Sequence, residues 1–275
     1  MRVLRAIIIC VGALLVPMDV FASDILICHV GGIGNSEQAA PKVSAFIRHL
    51  EESAGLEKES LRGKYLNTKE ECQAYVDENK PLLGVLDLAT LLRNAKVWRL
   101  KPVAHVGPPD AKRFYVLVRP GTASNLDGLK GRVLASTELR DARFAARIIF
   151  GGSLDPVQFF KPEHLRRVLK GIRGVARGKY DAVLVDEAAF AHLGELDLPV
   201  ALAEVFRSEP LPGLSLVVFG SPKKEQAPIV QRVLAALPRL CSGEGAKLCR
   251  AFEVKAFSKA KTADFNRLIE RYHAK

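Results

Sequence analysis

The sequence predicts an α/β fold in two lobes, each a mixed or parallel sheet flanked by helices, with the second lobe inserted into the first. Three observations predict it. Short apolar runs alternate with amphipathic stretches, which is the rhythm of βαβ units. Two breaker clusters, Gly107-Pro108-Pro109-Asp110 and Glu209-Pro210-Leu211-Pro212-Gly213, interrupt that rhythm. Of 275 residues the first 22 read as a leader, and the roughly 250 that remain suit one large domain or two modest ones.

The leader has a charged start (Arg2, Arg5), an apolar stretch from Ala6 to Val16, and Val20-Phe21-Ala22 at the positions a signal peptidase reads. The cut is expected after Ala22, which makes the mature protein periplasmic or secreted. The stretch is too short to anchor the chain, and no later apolar run reaches ~18 residues, so the mature protein is not expected to span a membrane. Cys10 leaves with the leader. Cys28, Cys72, Cys241 and Cys249 remain, an even number that suits an oxidising compartment. Four cysteines allow three pairings. Cys241 and Cys249 flank a short loop that closes easily, and Cys28 with Cys72 then follows by elimination, against the alternative of four buried thiols.

The elements follow in order. Ile25 to Val30 is a compact apolar strand, and Gly31 to Ser36 a tight loop. A helix is expected from about Glu37 to Ser53, with Val43, Phe46, Ile47 and Leu50 on one face. Gly63 to Leu66 is a short strand. Thr68, with Glu71 three residues on, caps a helix that Pro81 ends. Leu82 to Leu86 and Val103 to Val106 are further strands, and the first breaker then marks a crossing between lobes at Pro108 to Lys112. Beyond it Arg113 to Val118 alternates as a β-branched strand. Val133 to Ala135, a helix from Glu138 to Phe150, a basic helix, Ala182 to Val185 and Val200 to Phe206 continue the pattern. The second breaker is the return crossing. Leu214 to Phe219 is a strand, and the rest is expected to be helical: Glu225 to Leu240, Lys247 onward, and Ala263 to Tyr272. Lobe 1 is then residues 23–109 plus 212–275, and lobe 2 is residues 110–211. Two neighbouring linkers act as a hinge that a ligand in the cleft can close.

Composition narrows the function. An apolar content of 48% excludes wholesale disorder. The net charge of +11 points to an anionic ligand or partner. The cations are scattered except between Lys161 and Lys179, where seven Lys/Arg and His164 face a single acid, Glu163. Leu165, Val168, Leu169, Ile172 and Val175 recur there at helical spacing, which makes a cationic outer face. It is either a solvated surface or a docking face for an anionic partner.

In open α/β sheets ligands sit beyond the carboxyl ends of strands. Gly32, Gly34, Asn35 and Ser36 follow the first strand, where free backbone N–H groups attract anions or Asn35 and Ser36 simply cap the helix. Glu37 stands where a dinucleotide fingerprint needs its last glycine. Asp87 and Asp186 each follow a strand and either bind a ligand amine or hydroxyl or start a helix. Ser136, Thr137 and Arg140 would suit a carboxylate or phosphate, and His164 is a further candidate. No G-x-S-x-G, H-E-x-x-H or Walker loop is present, and no Cys/His spacing suits zinc. No catalytic residue, metal or cofactor is therefore assigned.

Three runs carry a resemblance: Arg113-Phe114-Tyr115-Val116-Leu117-Val118-Arg119; Leu126-Asp127-Gly128-Leu129-Lys130-Gly131-Arg132-Val133; and Gly178-Lys179-Tyr180-Asp181-Ala182-Val183-Leu184-Val185-Asp186. Together they resemble the periplasmic solute-binding proteins of ABC transporters, closest to the phosphate/phosphonate-binding branch. In that family the first run enters the second lobe, the L-K-G turn precedes a strand, and G-x-x-D-A leads to the cleft. The resemblance spans Ile25 to Phe219. It implies a type 2 periplasmic-binding fold and a monomeric carrier without chemistry of its own. Its partners would be a small anionic solute, phosphate- or phosphonate-like or another oxyanion, and an ABC transporter permease, with no nucleic acid. The branch opens its helix after the L-K-G strand with Ser/Thr-Ser-Gly. Here that region reads Ser136-Thr137-Glu138-Leu139-Arg140-Asp141, whose two acids repel a dianion. Two alternatives follow: a sensor or interaction module with a degenerate ligand site, or an exported enzyme with an unrecognised site.

Overall fold

The structure, a computed structural model, describes residues 22–30, 35–110, 112–252 and 254–274. The leader expected at residues 1–22, up to Phe21, and the loop glycines Gly32 and Gly34 lie outside the described residues. The chain opens with β1 (Ser23–Cys28), α1 (Ser36–Ala54), β2 (Leu61–Leu66), α2 (Lys69–Asn79), β3 (Leu83–Leu86), α3 (Leu88–Asn94) and β4 (Lys101–Val106). β1 runs parallel to both β2 and β3. The apolar stripe of α1 buries Val43, Ile47 and Leu50 against this sheet. Gly63 allows the close approach: a Cβ there would stand 2.5 Å from Val43 and 2.7 Å from Ile47.

The chain then enters a second sheet built from β5 (Phe114–Val118), β6 (Val133–Ser136), β7 (Lys161–His164), β8 (Ala182–Asp186) and β9 (Ala203–Arg207). Between these strands run α4 (Ala142–Phe144), α5 (Pro156–Phe159), α6 (Val168–Ala176) and α7 (Glu187–Ala191). It returns through β10 (Leu214–Val218), α8 (Ala227–Leu240), α9 (Gly245–Arg250), β11 (Phe257–Lys259) and α10 (Thr262–His273). β10 inserts antiparallel between β3 and β4. Among the described residues the strand orders are β11-β4-β10-β3-β1-β2 and β7-β6-β8-β5-β9. The fold is thus α/β with two mixed sheets. At the two passages between them Lys112 and Leu211 form an antiparallel bridge, with N–H···O distances of 3.1 and 2.8 Å.

Several elements differ from the sequence expectation. The basic segment is not helical from Lys161. Its first four residues are β7, an exposed edge strand, and the helix begins at Val168. The helix expected from Glu138 to Phe150 breaks at Asp141, whose carboxylate accepts from the Phe144 N–H at 3.0 Å and so restarts it as α4, followed by a π-helical turn at Ala145–Ile149. The strand expected from Val200 begins at Ala203. β11 lies in a stretch expected to be helical and pairs with β4. The cysteines pair as Cys28–Cys72 and Cys241–Cys249, with Cα separations of 6.0 and 5.5 Å.

Packing unites the two halves. One apolar cluster runs from Leu26 and Leu86 under the first sheet to Phe114, Val116, Leu134 and Ile148 under the second, and α10 contributes Phe265 and Tyr272 to it. Two further clusters back the outer faces of the sheets.

Candidate functional site

The carboxyl ends of β3, β6 and β8 bring three carboxylates to one place. Asp87 leaves β3 and caps α3: Oδ1 accepts from the Thr90 N–H at 2.8 Å, and Oδ2 from the Thr90 hydroxyl at 2.9 Å and the Val30 N–H at 3.2 Å. Asp186 ends β8 and caps α7 by accepting from the Ala189 N–H at 3.0 Å. Its other oxygen lies 3.4 Å from Lys112 Nζ. Ser136, at the end of β6, is buried. Its hydroxyl donates to Leu184 O at 3.1 Å and accepts from the Glu138 N–H at 3.0 Å, which fixes the turn that presents Glu138. Thr137 donates to Glu138 Oε1 at 3.3 Å.

Lys112 stands at the crossing, among all three acids. Desolvation alone lowers its pKa, but the charges of Glu138, Asp186 and Asp87 outweigh it, so the ammonium lies above the ordinary lysine value. The Glu138 carboxyl is raised, first by desolvation and then by Asp186 and Asp87, against the opposing pull of Lys112. Yet Lys112 and Asp186 keep 29% and 32% of their side-chain surface. The group is crowded by protein yet still reachable by solvent, and with three carboxylates to one ammonium it carries an excess of negative charge. Among the described residues no group of three or more His, Cys, Asp or Glu could hold a metal ion.

Of the residues singled out in the sequence, Asp87, Asp186, Ser136 and Thr137 come together here. Asp87 and Asp186 are helix caps as well as cluster members. Asn35 caps α1, accepting from the Gln38 N–H at 2.9 Å, and Ser36 opens that helix. Arg140 is exposed and donates to Leu165 O at 3.0 Å. His164 is exposed at the end of β7, opposite Ser136 in the sheet register. Sequence reasoning missed Lys112 and undervalued Glu138. Lys112 sat in the expected crossing and carried no pattern; Glu138 was visible only as an acid where the related branch has none.

Beside the cluster, a polar tie joins the two sheets. Arg93 of α3 donates to Asp141 Oδ2 through Nε (3.1 Å) and Nη2, and the Tyr272 hydroxyl of α10 donates to the same carboxylate at 3.2 Å.

A family model described as "ABC transporter, phosphonate, periplasmic substrate-binding protein" matches residues 35–265. The chain belongs to this family. Solved structures agree on the fold. A binding-protein component of an ABC phosphonate transporter from Pseudomonas aeruginosa matches with a TM-score of 0.64 at 11% identity, over 91% of this chain and 85% of that one. A Xanthomonas citri protein bound to ATP matches with a TM-score of 0.67 at 12% identity, over 92% and 100%. A Prochlorococcus marinus protein in complex with methylphosphonate matches with a TM-score of 0.61 at 11% identity, over 90% and 97%. No curated protein sequence matches the chain. The family is one of transport binding proteins rather than enzymes, and it implies a small-molecule ligand, a permease partner and a periplasmic location. No helix among the described residues is long and apolar enough to cross a membrane.

Proposed function

We propose that the mature chain, cut after Ala22, is a periplasmic solute-binding protein that captures one small ligand between two lobes and delivers it to an ABC permease. The lobes are residues 23–109 plus 212–275 and residues 110–211, and the crossings joined by the Lys112–Leu211 bridge are the hinge. The observation that carries this reading is the convergence of Asp87, Glu138, Asp186 and Lys112 at the carboxyl ends of strands from both sheets. That is where open α/β sheets bind ligands.

Family membership favours an oxyanion such as a phosphonate. The cluster adds a condition: in a crevice between the proposed lobes, its surplus of carboxylates repels a bare dianion and favours a solute that also carries a positive group. The oxyanion would lie toward Lys112, Asn35 and Ser36, and the cation toward Asp186 and Glu138.

Calorimetric titration of the mature chain tests this. The panel is phosphate, methylphosphonate, an aminoalkylphosphonate, alkanesulfonates and amino acids. One solute class should bind at one-to-one stoichiometry, and Asp186→Ala should weaken it by at least about tenfold, the loss expected for an unpaired charge. Silence across the panel, or binding that Asp186→Ala and Glu138→Ala leave intact, would refute the site.

A further inference from the structure

We propose that the flank of the second sheet built on α6 is a docking face for an anionic phospholipid surface. The sequence marked this stretch as cationic, and ligand capture does not use it. Lys161, Arg166, Arg167, Lys170, Arg173, Arg177 and Lys179 are all exposed. Among the described residues none of them is in an ion pair with a carboxylate. The one acid of the stretch, Glu163, accepts from the Tyr180 hydroxyl at 3.5 Å.

The geometry concentrates this charge. Lys170, Arg173 and Arg177 recur at i, i+3 and i+7, so they form one stripe down the helix. Leu169 borders the stripe and is 45% exposed. The helix cannot roll the stripe inward. Gly171 and Gly174 are buried against the sheet, where a Cβ would stand 2.7 Å from Leu165 and Val183 and 2.5 Å from the Tyr180 ring. Ile172 and Val175 are fully buried beneath them. A fixed row of guanidinium and ammonium groups beside one exposed leucine suits a phosphate-bearing, partly apolar plane. The cations attract the headgroups, arginine pairs with phosphate oxygens in bidentate fashion, and the leucine enters the acyl boundary. An acidic protein partner is the competing occupant, which the permease arm of the test below separates from a lipid surface.

The placement links docking to transport. β7 ends at His164 beside the end of β6, so the basic face starts beside the strand end that presents Ser136 and Glu138 and runs down the flank. A chain held by this face keeps its crevice close to the membrane plane.

Vesicle flotation decides the matter. The mature chain should float with phosphatidylcholine vesicles doped with phosphatidylglycerol, stay behind with pure phosphatidylcholine, and be released as salt is raised well above about 0.15 M. K170E/R173E/R177E, all at exposed positions, should lower the partition coefficient by at least about tenfold, since each cation near an anionic surface contributes roughly fivefold. Leu169→Ser should weaken it less. Circular dichroism checks that each variant is folded. Failure to float with phosphatidylglycerol, or flotation that charge reversal leaves unchanged, overturns the proposal. Binding confined to vesicles that contain the permease overturns it in favour of a protein partner. The readout uses no solute, so it stands or falls apart from the ligand-site reading.

Discussion

At the scale of single residues, Glu138 and Lys112 set the pH behaviour of the crevice. Glu138 is raised in the folded state, so folding takes up a proton. Its contribution to stability therefore declines as pH rises from the ordinary carboxylate range through the folded value. Glu138→Gln should remove that slope and raise the melting temperature most at the alkaline end, as checked by melting curves from pH 4 to pH 8. A cationic ligand group favours the ionised carboxylate, so its affinity should rise over the same interval in the wild type and flatten in the variant. Lys112 is also raised, so its stabilisation is fully present below the ordinary lysine value and is lost only as pH rises from there through the folded value, and it adds no slope in that range. Its removal acts differently. Lys112→Met leaves Glu138, Asp186 and Asp87 uncompensated and should cost roughly 1–2 kcal/mol, since the pair is partly solvated rather than fully buried. Denaturant titration at neutral pH measures this, and an unchanged midpoint would deny Lys112 its place in the cluster.

At the scale of elements, what the sequence disclosed follows from where burial is decided. β1, β3 and β8 were legible because they are central strands and read as continuous apolar runs, whereas β5, expected to alternate, is a central strand buried along its whole length. β7 was not: Lys-Pro-Glu-His is polar and exposed, and only pairing with β6 makes it a strand. Asp87 and Asp186 were legible because a capping acid after a strand is a local signal. Lys112 was not, because its role arises from three distant strand ends meeting at a crossing. The disulfides are a separate element-scale device. Cys28–Cys72 closes a span of 44 residues and ties β1 to α2, whereas Cys241–Cys249 closes only 8. Loop-closure entropy then predicts unequal losses, about 4 kcal/mol for C28A/C72A against about 2.5 kcal/mol for C241A/C249A. Equal shifts in the denaturation midpoint would show that strain or residual structure outweighs loop length.

At the scale of the whole molecule, the question is whether the two sheets behave as separate bodies. A hinged carrier must let them move, yet one apolar cluster and α10 join them. α10 packs on β4 and α3 of the first sheet and on the Ala145–Ile149 turn of the second. Arg93, Asp141 and Tyr272 add a polar tie at the same place, with Arg93 and Asp141 exposed by only 25% and 14%. The closure proposed about the crossings must therefore leave the packed side under α10 in place. The expected consequence is a single cooperative unfolding transition, with calorimetric and van't Hoff enthalpies equal. Asp141→Asn isolates the tie. Asparagine keeps an oxygen to cap Phe144 but loses the charge that faces Arg93. The loss should be about 1–2 kcal/mol, which at this size lowers the melting temperature by roughly 3–6 °C without splitting the transition. Asp264→Asn, at the exposed pair with Arg267, should change nothing measurable and serves as the control. Two resolved transitions in the wild type would mean that the shared core does not couple the sheets, and a silent Asp141→Asn would mean that the apolar cluster couples them unaided.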